Sequence, residues 1–455
     1  MKTRTLICCL GILVSSPLFA QLDTLNYYLK TGLENNLALQ QKQASFEKSM
    51  LAVKEARRMF YPGISFNARY SIADGGRVIE FPVGDLMNPV YSTLNALTMT
   101  DLFPQIENQE FTFLRSREHE TKVQLVQPIF NTGLHYNYKI RSELLQASRV
   151  DVDRYKRYLV AEIKKAYFNY LQTLRMEELV HETRGLLEEN LRVSNKLFEN
   201  HKVTSDVVYR SQAEISNIDQ FIAEVEKNSK VARSYLNFLL NRPLETPLYD
   251  PQEAQDTVII SDLEHAKDHA IHWREELDLL DHYLDASAYN LKIIRSQNHP
   301  MLLAAVDYGF QGEKYRFTAE DDFVIASFVL RWDIFSGFQN RVRIKQAVVE
   351  TELLKQQKEE VEQQIRLEVT QAYYDLKAAV QSVRSAETEC IHAQKAFRLV
   401  DRKYGEGMAS LIEYMDARTA MTKAETNRII ARFDLQVKLA EYERTTASFD
   451  FSVLN

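Results

Sequence analysis

The sequence predicts a mainly α-helical protein that also carries strands of a membrane β-barrel, built from a duplicated helix–strand–strand–helix–helix repeat. Three observations predict it. Long proline-free stretches carry a coiled-coil stripe, four segments alternate apolar and polar residues, and the two halves match at one fixed offset.

The helices come first. Of 10 prolines, none lies between Pro128 and Pro243 or after Pro300. Proline removes a backbone donor and clashes inside a helix, so these spans permit very long helices. From Val369 the series Ala372, Leu376, Val380, Val383, Ala386, Cys390, Ala393, Phe397, Val400, Tyr404 advances by threes and fours, averaging about 3.5 per step, which keeps one narrow seam facing a neighbour. A helix from Phe338 to Tyr404 reaches roughly 100 Å at about 1.5 Å per residue.

The strands follow from period two. Ile64, Phe66, Ala68, Tyr70 and Ile72 alternate with Ser65, Asn67, Arg69 and Ser71. Leu302, Ala304, Val306, Tyr308 and Phe310 repeat the alternation, with return strands through Val123 and Leu125 and through Val324, Ala326, Phe328, Leu330 and Trp332. Each approaches the roughly 9–11 residues that a tilted strand needs to cross a bilayer. Unpaired edges cannot face lipid and single-chain barrels start at about 8 strands, so other copies must complete the barrel. Two copies or three both satisfy that count.

Duplication and punctuation give the organisation. Ala166-Tyr167-Phe168-Asn169 matches Ala372-Tyr373-Tyr374-Asp375, and Phe198 matches Tyr404, all 206 positions apart. Tyr61-Pro62-Gly63 and His299-Pro300 end helices ahead of strands, while Gln127-Pro128 and Ser336-Gly337 end strands ahead of helices. Pro243, Pro247 and Pro251 mark a linker between the halves. The expected layout is a signal over 1–20, a first repeat over 21–250 with a hairpin at about 64–127 and a helical turn at about 199–204, and a second repeat over 251–455 with a hairpin at about 301–332 and a turn at about 405–410. The first hairpin's long loop, between Asp74 and Ser116, is expected outside the cell and the helices in the periplasm.

Lys2 and Arg4, the apolar run Leu6 to Val14 and Ala20 read as an export signal. Cys8 and Cys9 fall inside it too early for lipidation to be expected, and the remaining Cys390 has no disulfide partner. Removing the signal takes two cations and no acids, 56 − 2 = 54 Lys+Arg against 63 Asp+Glu, so the net charge moves from −7 to −9. That balance argues against nucleic acid as a partner.

The turn Tyr404-Gly405-Glu406-Gly407-Met408-Ala409-Ser410-Leu411-Ile412-Glu413-Tyr414-Met415-Asp416-Ala417, with Gln127-Pro128-Ile129-Phe130, Trp332-Asp333-Ile334-Phe335 and Leu236-Asn237-Phe238-Leu239-Leu240-Asn241, resembles the TolC-like outer-membrane efflux protein family across the chain. The resemblance implies a homotrimer with a twelve-stranded barrel in outer-membrane lipid and a twelve-helix tunnel in the periplasm. It implies docking on a periplasmic adaptor (membrane fusion) protein and an inner-membrane pump, for tripartite efflux or type I secretion. The duct is passive in the family, so no enzyme activity, cofactor or metal is expected.

The resemblance also implies site residues. Tyr404, Glu413 and Asp416, with Asp206 from the first repeat, would narrow the pore, and Glu413 and Asp416 stand three apart on one helical face. The docking turns would be Phe198, His201, Lys202 and Val203, and Gly405, Gly407, Met408 and Ser410. A basic residue often found after the turn glycine is replaced by Ala409, and the first repeat has His201 at its turn-glycine position and Val207 at the acidic one. The plainer reading of the first turn is a helix hairpin in which Thr204 or Ser205 caps the next helix.

Other chemistry is weighed and set aside. His265, His269 and His272 share one helical face with Glu264, Asp268 and Glu275 nearby, yet three helical histidines need a fourth ligand and a supporting shell that the sequence does not show. Glu320, Asp321 and Asp322 read as a solvated loop. The competing reading is a soluble periplasmic adaptor or coiled-coil scaffold, whose strands would not need a lipid-facing stripe.

Overall fold

The computed structural model describes residues 18–249 and 261–454. The expected signal lies outside them except for 18–20, and so does the boundary at 250/251 with Pro251. The first half runs α1 (Leu18–Asn35), α2 (Leu37–Arg58), β1 (Gly63–Ile72), β2 (Val78–Phe81), α3 (Val83–Thr98), β3 (Gln109–Thr112), β4 (Arg117–Phe130), α4 (Thr132–Glu199) and α5 (Ser205–Leu239). The second runs α6 (Leu263–Trp273), α7 (Glu275–Ser296), β5 (Met301–Gly312), β6 (Asp322–Arg331), α8 (Gln339–Gly405), α9 (Leu411–Thr446) and a 3-10 turn, Phe451–Leu454. The long helices α4 and α8 hold 68 and 67 residues. Among the described residues no helix is long and apolar enough to cross a membrane.

The chain forms two compact units, and each draws on both sequence halves. One takes residues up to Leu51, Ser142–Ala286 and those from Glu350; the other takes Ala52–Arg141 and Ser287–Val349. The division cuts across the repeats because the halves are joined strand to strand: β4 of the first pairs antiparallel with β5 of the second, in the order β1-β4-β5-β6.

In the first unit the cores of the two halves occupy equivalent positions. Leu159, Ile163, Ala166, Tyr170 and Leu236 are buried in one cluster and Ile365, Val369, Ala372, Leu376 and Tyr442 in another, each 206 positions on. Tyr28, Leu29 and Leu39 complete the first cluster, and α1 approaches α4 closely at Gly32, where a Cβ would stand 2.3 Å from Ile163 Cδ1. Along α8 the buried seam follows Val369, Ala372, Leu376, Ala386, Cys390 and Phe397. Ala379 takes the buried place expected for Val380, which is half-exposed, because a small residue suits close helix approach where a straight helix drifts against a strict seven-residue repeat.

In the second unit the register sorts side chains by face. Ile64↔Leu125, Phe66↔Val123 and Ala68↔Thr121 continue through Val306, Tyr308 and Phe310 on β5 and Ala326 and Val324 on β6, giving one apolar face. The opposite face carries a charge ladder: Arg69 to Glu120 at 3.3 Å, Glu120 to Lys122 at 3.0 Å, and Lys122 to Asp307 at 3.0 Å. Apolar side chains on the first face are strongly exposed in the single chain, Ile64 by 71% and Phe328 by 78%.

Two details differ from expectation. β4 runs through Pro128 to Phe130, with a register shift between Pro128 and Phe130; a bulge tolerates the missing N–H, and the Gln127 amide donates instead to the carbonyls of Phe60 and Pro128. The segment between Asp74 and Ser116 is no plain loop, since it holds the β2–β3 hairpin and α3. Three asparagines explain it. Asn88 and Asn95 each exchange two hydrogen bonds with the backbone of Ile106 and Phe103, and Asn108 bridges Glu80 and Asp85.

Candidate functional site

The residues expected to matter gather at two helix turns in the first unit, α4–α5 and α8–α9. Both long helices end in the same way. The His201 N–H donates to Phe198 O (2.9 Å) and the Lys202 N–H to Leu197 O (2.9 Å); the Gly407 N–H donates to Tyr404 O (3.0 Å) and the Met408 N–H to Lys403 O (2.8 Å). This is a Schellman closure, which needs a left-handed residue. Gly407 supplies it at φ 75°, and His201, its counterpart, adopts φ 56°, a conformation that costs a side-chain-bearing residue roughly 1 kcal/mol or more. Phe198, Lys202, Gly405, Met408 and Ser410 are exposed and Val203 is half-buried.

The second turn is the better organised. Ser410 Oγ accepts from the Glu413 N–H at 3.2 Å, while Glu413 Oε2 accepts from the Ser410 N–H at 2.6 Å and from its hydroxyl at 3.0 Å. That is a capping box. The backbone bond from Ser410, then the hydroxyl bond, hold the Glu413 carboxyl below its ordinary 4.5. Tyr404 packs against Tyr414 with centroids 4.9 Å apart, and Tyr414 against Phe397 at 5.6 Å, both pairs tilted; burial pushes the Tyr414 phenol up to about 12. Asp416 is exposed one turn further along α9.

The structure therefore keeps Glu413 and Asp416 on one exposed flank of α9, but turns the Tyr404 ring toward Tyr414 and folds the Glu413 carboxylate back on Ser410. In the first turn Thr204 occupies the N-cap without a side-chain cap bond. Its hydroxyl donates instead to Asp206, which also faces Arg210 at 3.9 Å. Neither Thr204 nor Ser205 provides the side-chain cap of the plainer reading. The Ser410 cap is expected to matter locally: Ser410→Ala should cost about 1 kcal/mol at the start of α9, measured as faster amide hydrogen exchange over residues 411–415, while Glu413→Gln, which preserves the box, should leave exchange nearly unchanged.

One residue missed from the sequence is Arg418. Its side chain is 6% exposed and its Nη2 donates to Glu214 Oε2 on α5 at 2.8 Å, tying one helix pair to the other. The available signal was an arginine standing on the seam begun by Leu411 and Tyr414, at positions i and i+3 to its i+7. The three histidines are used otherwise: His269 Nδ1 bonds Thr446 O at 2.8 Å, His272 packs edge-on to Trp273, and His265 is exposed. Among the described residues no group of three or more His, Cys, Asp or Glu side chains is arranged to hold a metal.

Comparison with known proteins bears on the fold and on the second repeat. Residues 268–444 match the family described as outer membrane efflux protein. The outer-membrane channel OprN superposes with a TM-score of 0.76 at 15% identity, covering 96% of this chain and 93% of that one. The Campylobacter jejuni CmeC outer membrane channel gives 0.78 at 14%, covering 95% and 89%. The open state of the Neisseria gonorrhoeae MtrE outer membrane channel gives 0.74 at 16%, covering 93% and 88%. No curated protein sequence matches the chain.

Proposed function

We propose that the chain, whose residues 268–444 match the outer membrane efflux protein family and whose fold is shared with the outer-membrane channels OprN and CmeC, is one protomer of a trimeric, passive export duct. The β1-β4-β5-β6 sheets of three copies close a twelve-stranded barrel in the outer membrane, and the helices continue it into the periplasm. There the two turns meet a periplasmic adaptor and an inner-membrane pump.

The observation that carries this reading is the two-faced sheet with open edges. Its outer face is apolar and exposed, its inner face holds the Arg69–Glu120–Lys122–Asp307 ladder, and β1 and β6 end it unpaired. An apolar face beside a charged one, with edges that lipid cannot satisfy, suits a barrel wall completed by copies. A soluble adaptor would leave that face in water. Phe198, Lys202, Met408 and Ser410 at the turns form the adaptor contact, and Tyr404, Glu413, Asp416 and Asp206 the inner constriction. The Arg418–Glu214 pair holds neighbouring helix pairs together about two turns into α9.

The test is fractionation of the expressed protein followed by unheated gel analysis of detergent extracts. A detergent-resistant trimer in the outer membrane is the expected result. A soluble periplasmic monomer would replace the duct with the scaffold reading.

A further inference from the structure

The folded insertion between β1 and β4 presents a surface that the single chain does not cover. Pinned from behind by Asn88 and Asn95, α3 turns out a stripe of Leu86, Val90 and Leu97, exposed by 67%, 49% and 76%. The three positions fall within about 40° of one another around a helix of 3.6 residues per turn. Contiguous exposed apolar surface on a rigid support marks an interaction site. The insertion is also acidic throughout: between Arg77 and Arg115 it carries Glu80, Asp85, Asp101, Glu107 and Glu110 and no lysine or arginine. Interfacial helices that lie on lipid headgroups carry Lys and Arg on the polar face, so the charge argues against a lipid surface as the occupant.

The topology supplies a complementary surface. The sheet order β1-β4-β5-β6 puts β1 and β6 on opposite edges, each strand antiparallel to the next. When copies join edge to edge as in the proposed barrel, β6 of one lies beside β1 of the next, and the β5–β6 loop of the first meets the β1–β4 insertion of the second at the same rim. That loop reads Lys314-Tyr315-Arg316-Phe317, with both cations exposed and both rings more than half exposed. Its own acids leave these cations available: Asp321 bonds the Thr318 hydroxyl at 2.8 Å, and no ion pair of the described residues joins Lys314 or Arg316 to Glu313, Glu320 or Asp321. The loop is held in place by Tyr315 and Phe317 packing against buried His119, with centroids at 4.6 and 6.2 Å.

We propose that the α3 insertion of one protomer clasps the β5–β6 loop of the next, the Leu86–Val90–Leu97 stripe against Tyr315 and Phe317 and the insertion's acids against Lys314 and Arg316. The inference rests on the duct reading, because it requires copies joined along β1 and β6. It makes the extracellular rim a second seal between protomers, beyond strand pairing.

The test uses the full chain with Cys390→Ala. Two differently tagged forms, one carrying Leu97→Cys and the other Phe317→Cys, are co-expressed, and outer membranes are treated with a short bismaleimide. The expected result is a covalent dimer bearing both tags, with no product when either form is expressed alone. In parallel, Lys314→Glu with Arg316→Glu should lower the temperature at which the trimer dissociates in detergent and remove the dependence of that temperature on salt. An intact trimer without the mixed-tag product, or with Leu97→Cys chains linked to each other, overturns the clasp and leaves the duct standing. Absence of any trimer overturns both.

Discussion

Arg274→Ala should destabilise the helical unit by about 1–3 kcal/mol, because it takes a buried guanidinium away from two half-buried carboxylates, of which Glu276 loses its partner and Glu368 keeps only Arg444 at 3.8 Å. The side chain is 5% exposed; its Nη2 and Nε bind Glu276 at 2.7 and 3.1 Å, and its Nη1 binds Glu368 at 2.6 Å. It therefore links the start of α7 to α8. Burial alone would raise the Glu276 carboxyl, yet the Arg274 hydrogen bonds and charge outweigh it and hold the group below its ordinary 4.5. A depressed carboxyl stabilises the fold at pH above its unfolded value and loses that contribution as the pH falls through its folded value. The wild type should accordingly lose stability below about pH 4.5, and Arg274→Ala should lose part of it already at neutral pH. Melting temperatures of the detergent-solubilised protein at pH 7 and pH 4 would show it. Equal melting of both forms at pH 7 would mean that the pair contributes nothing.

Glu413→Gln with Asp416→Asn should reduce the cation preference of the open duct about tenfold or more without loosening the turn. Two unit charges about 4 Å apart interact by about 1 kcal/mol in water and about 4 kcal/mol at an effective dielectric of 20. A ring of carboxylates from three copies at a narrow point would reach the about 1.4 kcal/mol that makes a factor of ten. Glutamine keeps the capping box with Ser410, so a changed selectivity reports charge rather than unfolding. Reversal potentials across planar bilayers under a salt gradient give the ratio. Unchanged selectivity would remove these residues from the constriction and leave Glu413 a helix cap alone.

The division between legible and illegible features follows the physics of each. Proline-free heptads, period-two strands and matched residues at one offset are local patterns, and α4, α8, β1 and β5 appear where those patterns run. The turn at Gly407 could also be read, since a glycine between two long helices announces a left-handed closure. Its counterpart at His201 could not, because nothing local marks a histidine for φ 56°. The folding of the β1–β4 insertion was equally hidden: it depends on Asn88, Asn95 and Asn108 finding backbone and side-chain partners up to 28 residues away.

From the residues in order came the helical and strand character of the chain, the matched residues of its two halves and the position of its turns, since each is set by periodicity and by where proline and glycine interrupt it. Only the folded chain settled which strands pair across the two halves, that Arg418 reaches Glu214 and that Arg274 reaches Glu368. Those outcomes rest on contacts between segments tens to hundreds of residues apart, where side-chain reach, burial and the competition for hydrogen-bond partners decide, and no short stretch of sequence carries that information.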